Sequence, residues 1–288
     1  MYRATDDNSL RKLEELEERE GELSGLAQSC RQLLELQGEA KLRFVVSSSF
    51  DETTSSYRLA QGTPLLSFED LSLEQAELET LYQEVTNLLA GDSPDLPGEV
   101  EGLRHIASNK PLLDEVVRTW YEGSSLNDIS AAHDVDNELF TFVIATVLKP
   151  FLQAYSEALL PLVKQEAWRR RYCPICGGKP DFAFLDTERG ARWLCCSHCD
   201  AQWLFQRLEC PYCGNQKHDS LAYFTDDEGL YRLYVCEECR SYIKTIDLRC
   251  AKSGASLFVE RIVTMDIDKQ AQQEGYRRGC EEPSSLGK

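Results

Sequence analysis

Four Cys-x-x-Cys pairs fall between residues 173 and 239: Cys173/Cys176, Cys196/Cys199, Cys210/Cys213 and Cys236/Cys239. A two-residue gap lets both sulfurs of a pair point from one tight turn at one ion, and two such turns complete a tetrahedral thiolate shell. A chain built this way is expected to fold, over this stretch, around knuckles that close on a cation.

The stretch is also an internal repeat. CPICG at Cys173 matches CPYCG at Cys210, an apolar run follows each, acidic turns DTERG and DDEG come next, and each unit closes with Cys-x-x-Cys. Arg192 and Arg232 each stand four residues before the third ligand of their unit. Pro174 and Pro211 stiffen the first turn, and Gly177 and Gly214 can take positive φ just beyond it, so that backbone N–H groups face the thiolates. The 19 residues between second and third ligands in the first unit, and 22 in the second, are enough for a hairpin. The spacing therefore assigns one ion to Cys173, Cys176, Cys196 and Cys199, and another to Cys210, Cys213, Cys236 and Cys239. Zinc is the default metal of such a closed site, but iron fits the same geometry, and spacing does not separate the two.

Nearby residues invite other readings. Cys195 beside Cys196 could be an alternative ligand, a reactive thiol or a small buried residue ending a strand, the last being the plainer view. His198 lies inside a knuckle whose four thiolates already fill the shell, so it reads as a bystander. His218 reads as a loop residue, and Cys250 and Cys280 have no spaced partner.

Length and charge divide the chain. At 288 residues, about two domains are expected. The net charge of -18 is uneven: residues 1–169 carry 14 Lys+Arg against 31 Asp+Glu, whereas residues 170–252 carry 12 of each. The expected layout is an acidic helical domain over 1–168, metal modules over 169–206 and 207–252, and a C-terminal segment over 253–288. An acidic surface argues against nucleic acid as the main partner. The charged opening is not a secretory signal, and the most apolar stretch, Leu139 to Leu148, is short of the roughly twenty residues a spanning helix needs. A reducing cytoplasm is the expected setting, where paired cysteines read as metal ligands rather than disulfides.

Apolar spacing predicts an amphipathic helix over Leu10 to Leu36, with Gly21 and Gly25 weakening it as a coiled coil, and further helices over Ser72–Leu89, Val100–Ser108 and Leu112–Tyr121. Asp136 is placed to cap a helix through Val147, which Pro150 should kink or restart before the pattern continues to about Glu166. Ser47 to Pro64 reads as a connection. Short strands are expected at Phe182–Leu185, Arg192–Leu194, Leu221–Thr225 and Leu230–Val235. The fold class is thus α+β and multidomain: an all-helical N-terminal domain followed by two tandem rubredoxin-like or zinc-ribbon modules of short strands.

The order of acidic helical domain, CPxCG, CxxC, CPxCG, CxxC and a tail containing QEGY (Gln273 to Tyr276) resembles the formate dehydrogenase accessory protein FdhE family. Trp203, four residues after Cys199, YIK at Tyr242 to Lys244, and GTPLL at Gly62 to Leu66 add to the likeness; the doubled Cys195-Cys196 departs from it. The resemblance implies a cytoplasmic assembly factor that binds the catalytic subunit of a molybdenum or tungsten formate dehydrogenase, with two metal ions shaping a docking surface. Two other readings stay open: an iron-binding redox protein acting on a client's metal centre, and a nucleic-acid-binding zinc ribbon aided by the helix-turn-helix-like stretch from Leu126 to Ile144. Self-association is also left open. An enzyme is not expected, because G-x-S-x-G, P-loop, H-E-x-x-H and dinucleotide fingerprints are missing, and His105 and His133 read as isolated on helices.

Overall fold

The computed structural model describes residues 3–18, 23–46, 50–92, 97–251 and 254–280. The chain runs through α1 (Arg3–Glu17), α2 (Leu23–Arg43), α3 (Glu52–Gln61), α4 (Gln75–Asp92), α5 (Pro97–Ser108), α6 (Lys110–Tyr121), α7 (Asn127–Ala132), α8 (Asn137–Leu159) and α9 (Gln165–Trp168). Next come β1 (Pro180–Leu185), β2 (Arg192–Cys196), β3 (Gln202–Phe205), β4 (Leu221–Thr225), β5 (Tyr231–Cys236) and β6 (Ser241–Asp247). Helices α10 (Leu257–Val263) and α11 (Met265–Gln273) and a two-residue β7 (Arg277–Arg278) finish it. Contacts divide the chain into two units, Met1–Ser49 with Leu66–Ala158, and Phe50–Leu65 with Leu159–Lys288.

The first unit is helical and centred on α8. Phe140, Val143, Ile144, Val147, Phe151 and Tyr155 recur at gaps of three and four and are buried, as are Leu81 and Val85 of α4, Leu103 and Ile106 of α5, and Leu113 and Val116 of α6. Each fully buried side chain of this size contributes about 1.5–3 kcal/mol. Asp136 caps α8 as expected, its carboxylate accepting from the N–H groups of Glu138 and Leu139, both at 2.9 Å.

Pro150, where a kink or restart is expected, lies inside α8, which continues to Leu159. A proline cannot donate to the carbonyl four residues earlier, here that of Thr146, and an unpaired buried carbonyl is costly. Gln37 supplies the missing donor, its Nε2 lying 2.8 Å from Thr146 O. The stretch Asn137–Leu162 is thereby long and apolar enough to cross a membrane, but 61% of its apolar window is buried inside the protein, the mark of a core helix.

Two expectations are corrected. The single helix over Leu10–Leu36 is two helices packed together, with Leu13 and Ala27 buried and Arg31 paired to Glu17 at 2.6 Å; Glu20 and Gly21 lie outside the described residues. The connection Ser47–Pro64 contains α3, because Asp51 caps it by accepting from Thr54 N at 2.8 Å and Gly62 ends it at φ 77°; residues 47–49 are outside the description.

The second unit joins both cysteine modules in one sheet, in the order β3-β2-β1-β6-β5-β4, with β7 beside β6. Pairing within each module is antiparallel, and the two modules meet where β1 runs parallel to β6, Phe182 opposite Lys244 and Leu185 opposite Asp247. All seven residues of β6 are buried. Tyr242, Lys244 and Ile246 share a face by strand alternation; Lys244 donates to the carbonyls of Arg261 and Thr264, and Tyr242 packs with Val235 and Ala271.

Candidate metal centres

Each first knuckle is a closed turn on a hairpin's approach. Cys173 N donates to Gly178 O and Gly177 N to Cys173 O; in the second module Cys210 N donates to Asn215 O and Gly214 N to Cys210 O, all at 2.9 to 3.1 Å. Gly177 and Gly214 have φ of 76° and 78°, as the repeat predicts. The amides that face sulfur belong to other residues: Ile175 N reaches Cys173 Sγ at 3.3 Å and Tyr212 N reaches Cys210 Sγ at 3.4 Å. In the later knuckle of the first module His198 N approaches Cys196 Sγ at 3.4 Å.

One feature escaped the sequence reading. The residue after the last cysteine of each module, Asp200 or Arg240, has φ near +53° (54° and 52°) without being glycine. A left-handed non-glycine costs roughly 1–2 kcal/mol, and its recurrence at the same place in both modules ties it to the knuckle turn. Only the repeat alignment could have pointed to it.

The sulfurs assigned together by spacing lie together in space. Those of Cys173, Cys176, Cys196 and Cys199 fall within 4.8 Å of one another, and so do those of Cys210, Cys213, Cys236 and Cys239. Individual separations are 3.5 to 3.7 Å. A disulfide would need about 2.05 Å, whereas four sulfurs about 2.3 Å from a shared zinc stand about 3.8 Å apart. The donor set therefore fits a metal ion. Burial pushes the Cys196 and Cys199 thiols well up, while hydrogen bonds from Cys173 and Cys196 hold Cys176 down. Four closely packed sulfurs cannot all ionise without a cation, and a divalent ion would displace their protons.

The two centres differ in access. All four cysteines of the first are buried; in the second Cys213 is exposed and Cys239 half-buried. An alkylating reagent is expected to modify Cys213 well before any cysteine of the first centre, with the exposed Cys250 reacting in parallel as an internal standard. Mass mapping after graded exposure measures this, and equal protection of Cys213 and Cys173 would contradict the asymmetry.

The neighbouring residues now have places. Cys195 is 1% exposed and packs with Phe182, Phe184 and Ile246, away from the sulfur clusters. The His198 ring lies beside the first centre: a Cβ on Gly178 would meet His198 Nδ1 at 2.8 Å and Cys196 Sγ at 3.0 Å. His105 and His133, read as isolated, stack at 5.1 Å.

The flanking motifs also converge on the knuckles. Leu65 N donates to Pro174 O at 2.9 Å and Tyr172 OH to Gly62 O at 2.7 Å, seating Gly62–Leu65 on the first turn. Trp203 is buried and donates to Arg170 O. In the second module Arg240 stacks 4.0 Å over the Tyr276 ring and donates to Glu274 O, while Arg277 N donates to Arg240 O.

The repeated arginines diverge. Arg232 pairs with the buried Asp247 of its own module at 2.7 Å. Arg192, 2% exposed, instead donates to the carbonyls of Gln206 and Glu209 in the link that leads to Cys210. The first module thus holds the chain entering the second centre.

Comparison with known proteins adds relatives. The family model for the FdhE central domain matches residues 172–207. An FdhE homolog from Aquifex aeolicus is 31% identical over 236 residues, 80% of this chain and 77% of that protein. FdhE from Escherichia coli is 26% identical over 119 residues, 40% of this chain and 38% of its own. The crystal structure of the FdhE protein from Pseudomonas aeruginosa has a similar fold, with a TM-score of 0.63 over 96% of this chain and 92% of that one at 20% identity.

Proposed function

The chain belongs to the FdhE family, and from that membership we propose that it is a cytoplasmic accessory factor that binds the catalytic subunit of formate dehydrogenase during maturation. In this reading Cys173, Cys176, Cys196 and Cys199 hold one metal ion, and Cys210, Cys213, Cys236 and Cys239 hold another. The observation that carries a structural role is that each cluster offers four thiolates within one shell. A closed tetrathiolate shell leaves no position for a substrate, and what it supplies is folding free energy. The ions organise the turns on which Gly62–Leu65 and Gln273–Tyr276 rest, so metal shapes the surface instead of reacting on it. The protein acts by binding and is not an enzyme.

The test uses the purified full-length protein, metal-loaded, against the purified catalytic subunit of formate dehydrogenase from the same cell. A stoichiometric complex on size-exclusion chromatography is expected, and a failure to associate at micromolar concentrations would remove the reading.

The accessible second centre favours one further reading, a redox-active iron there. Metal analysis of anaerobically purified protein, with visible spectra before and after dithionite, decides it; stoichiometric zinc without iron excludes it.

A further inference from the structure

The repeat makes β1 and β4 equivalent strands, each following the first knuckle of its module. Phe184, opposite Trp193, corresponds to Phe224, opposite Leu233, and Leu185, opposite Arg192, corresponds to Thr225, opposite Arg232. Even the turns agree: Asp186 N donates to Ala191 O as Asp226 N does to Tyr231 O.

Their outer edges differ. The edge of β1 is filled by the parallel strand β6, which buries Phe182 and Leu185 completely and leaves Phe184 9% exposed. Among the described residues no strand pairs with the outer edge of β4, where Tyr223 is 51% and Phe224 59% exposed. In an antiparallel pair, bonding to the neighbour alternates residue by residue. The bonds from Asp226 N to Tyr231 O and from Glu237 N to Ser220 O assign the even-numbered residues to β5. The N–H and C=O of Tyr223 and Thr225 therefore point outward, as do those of Ala183 and Leu185, and Leu185 O accepts from Leu248 N at 3.0 Å.

We propose that the β4 edge receives an extended segment of the client polypeptide, paired parallel to β4 as β6 pairs with β1, with an apolar side chain opposite Phe224. This deepens the proposed function and rests on it. Strand addition to an open edge is an established mode of recognition, with main-chain bonds giving affinity and alternate side chains giving specificity. A second copy of this chain is a poor occupant on two counts. Its β3, the strand that corresponds to β6, is closed by Gln165, which accepts from Leu204 N at 3.1 Å and donates to Gln202 O at 3.5 Å. Its β4 carries the exposed acidic turn Asp226, Asp227 and Glu228, which like-charge repulsion keeps from the Glu237 and Glu238 end of another β4. The same charges suit a segment that is neutral or basic.

The experiment measures binding of the purified formate dehydrogenase catalytic subunit to the metal-loaded protein and to two variants. Thr225→Pro removes an outward N–H while keeping the hairpin bonds, since proline is tolerated on an edge; Phe224→Asp puts a charge where the apolar contact forms. Binding is expected to weaken roughly tenfold for the first and on the order of a hundredfold for the second, with two metals bound and an unchanged melt in both. The Tyr223 and Thr225 amides should exchange quickly in the free protein and be protected in the complex. Wild-type affinity in both variants overturns the proposal while leaving the accessory function intact, whereas no binding by the wild type removes that function and the proposal with it. Protection of the two amides in the free protein also overturns it, because the chain itself or a second copy then fills the edge.

Discussion

Cys173→Ser is expected to cost the protein its first metal ion and the cooperative fold of the strands around it. Structural zinc contributes on the order of 10–16 kcal/mol, which matches or exceeds the roughly 5–15 kcal/mol that holds a typical domain together. All four sulfurs of this centre are buried, so water cannot easily replace the missing ligand. The damage should spread, because β1 of this module is the strand on which β6 pairs and Arg192 holds the link into Cys210. Metal analysis and thermal denaturation measure the effect: less than one ion per chain and no sheet transition in the variant, against two ions in the parent. Cys213→Ser is expected to do less, losing the exposed centre's ion while the first stays loaded. Two ions and a parental melt in Cys173→Ser would refute the structural role of the centre.

Asp268→Ala should be the most damaging substitution away from the cysteines. Its carboxylate accepts from Lys244 Nζ at 2.5 Å, from Tyr242 OH at 2.8 Å and from Arg278 at 2.9 Å, with Asp268 4% and Lys244 6% exposed. Burial depresses the Lys244 pKa against the opposing pull of Asp268. Removing the carboxylate strands a buried ammonium on two carbonyls, a change of about 3–5 kcal/mol. Urea denaturation reads it directly. Adding Lys244→Met to the same chain should recover much of the loss, since an apolar residue in place of both charges is often neutral. A single-variant loss under about 1 kcal/mol would mean that the cluster is open to water.

The grouping of the eight cysteines into two sets of four could be read from sequence because a knuckle is local: two residues of spacing decide where both sulfurs point. The helices of the first unit were legible for a similar reason, as Phe140, Val143, Ile144 and Val147 carry their periodicity within two turns. α3 was missed because its stability lies in its ends, Asp51 and Gly62, while ETTSSYRLAQ between them has little apolar pattern. The break between α1 and α2 was hidden by an apolar period that runs through both. β3 went unread because it is four residues long, and β6 because SYIKTID mixes polar and apolar residues without a clean alternation yet is wholly buried: its Lys244 is answered by Asp268 of α11 and by the carbonyls of Arg261 and Thr264, and its Asp247 by Arg232 of β5 and by Arg249. The likeness to a family had singled out Trp203 and Tyr242–Lys244, which lie in these two strands. The merging of two modules into one sheet is a contact between residues some sixty positions apart, which no local pattern records. The continuity of α8 through Pro150 is likewise invisible without Gln37.

The parallel seam between β1 and β6 gives the protein a direction in time. The four cysteines of the first module all precede Cys210, so synthesis presents that set first. The second module forms its own antiparallel ladder, β6 on β5, but the other edge of β6 meets β1, a strand made earlier, and Arg192 precedes the link it holds. If metal is taken up as the chain emerges, the first centre is expected to fill before the second, and scarce metal should yield chains loaded at the first centre alone.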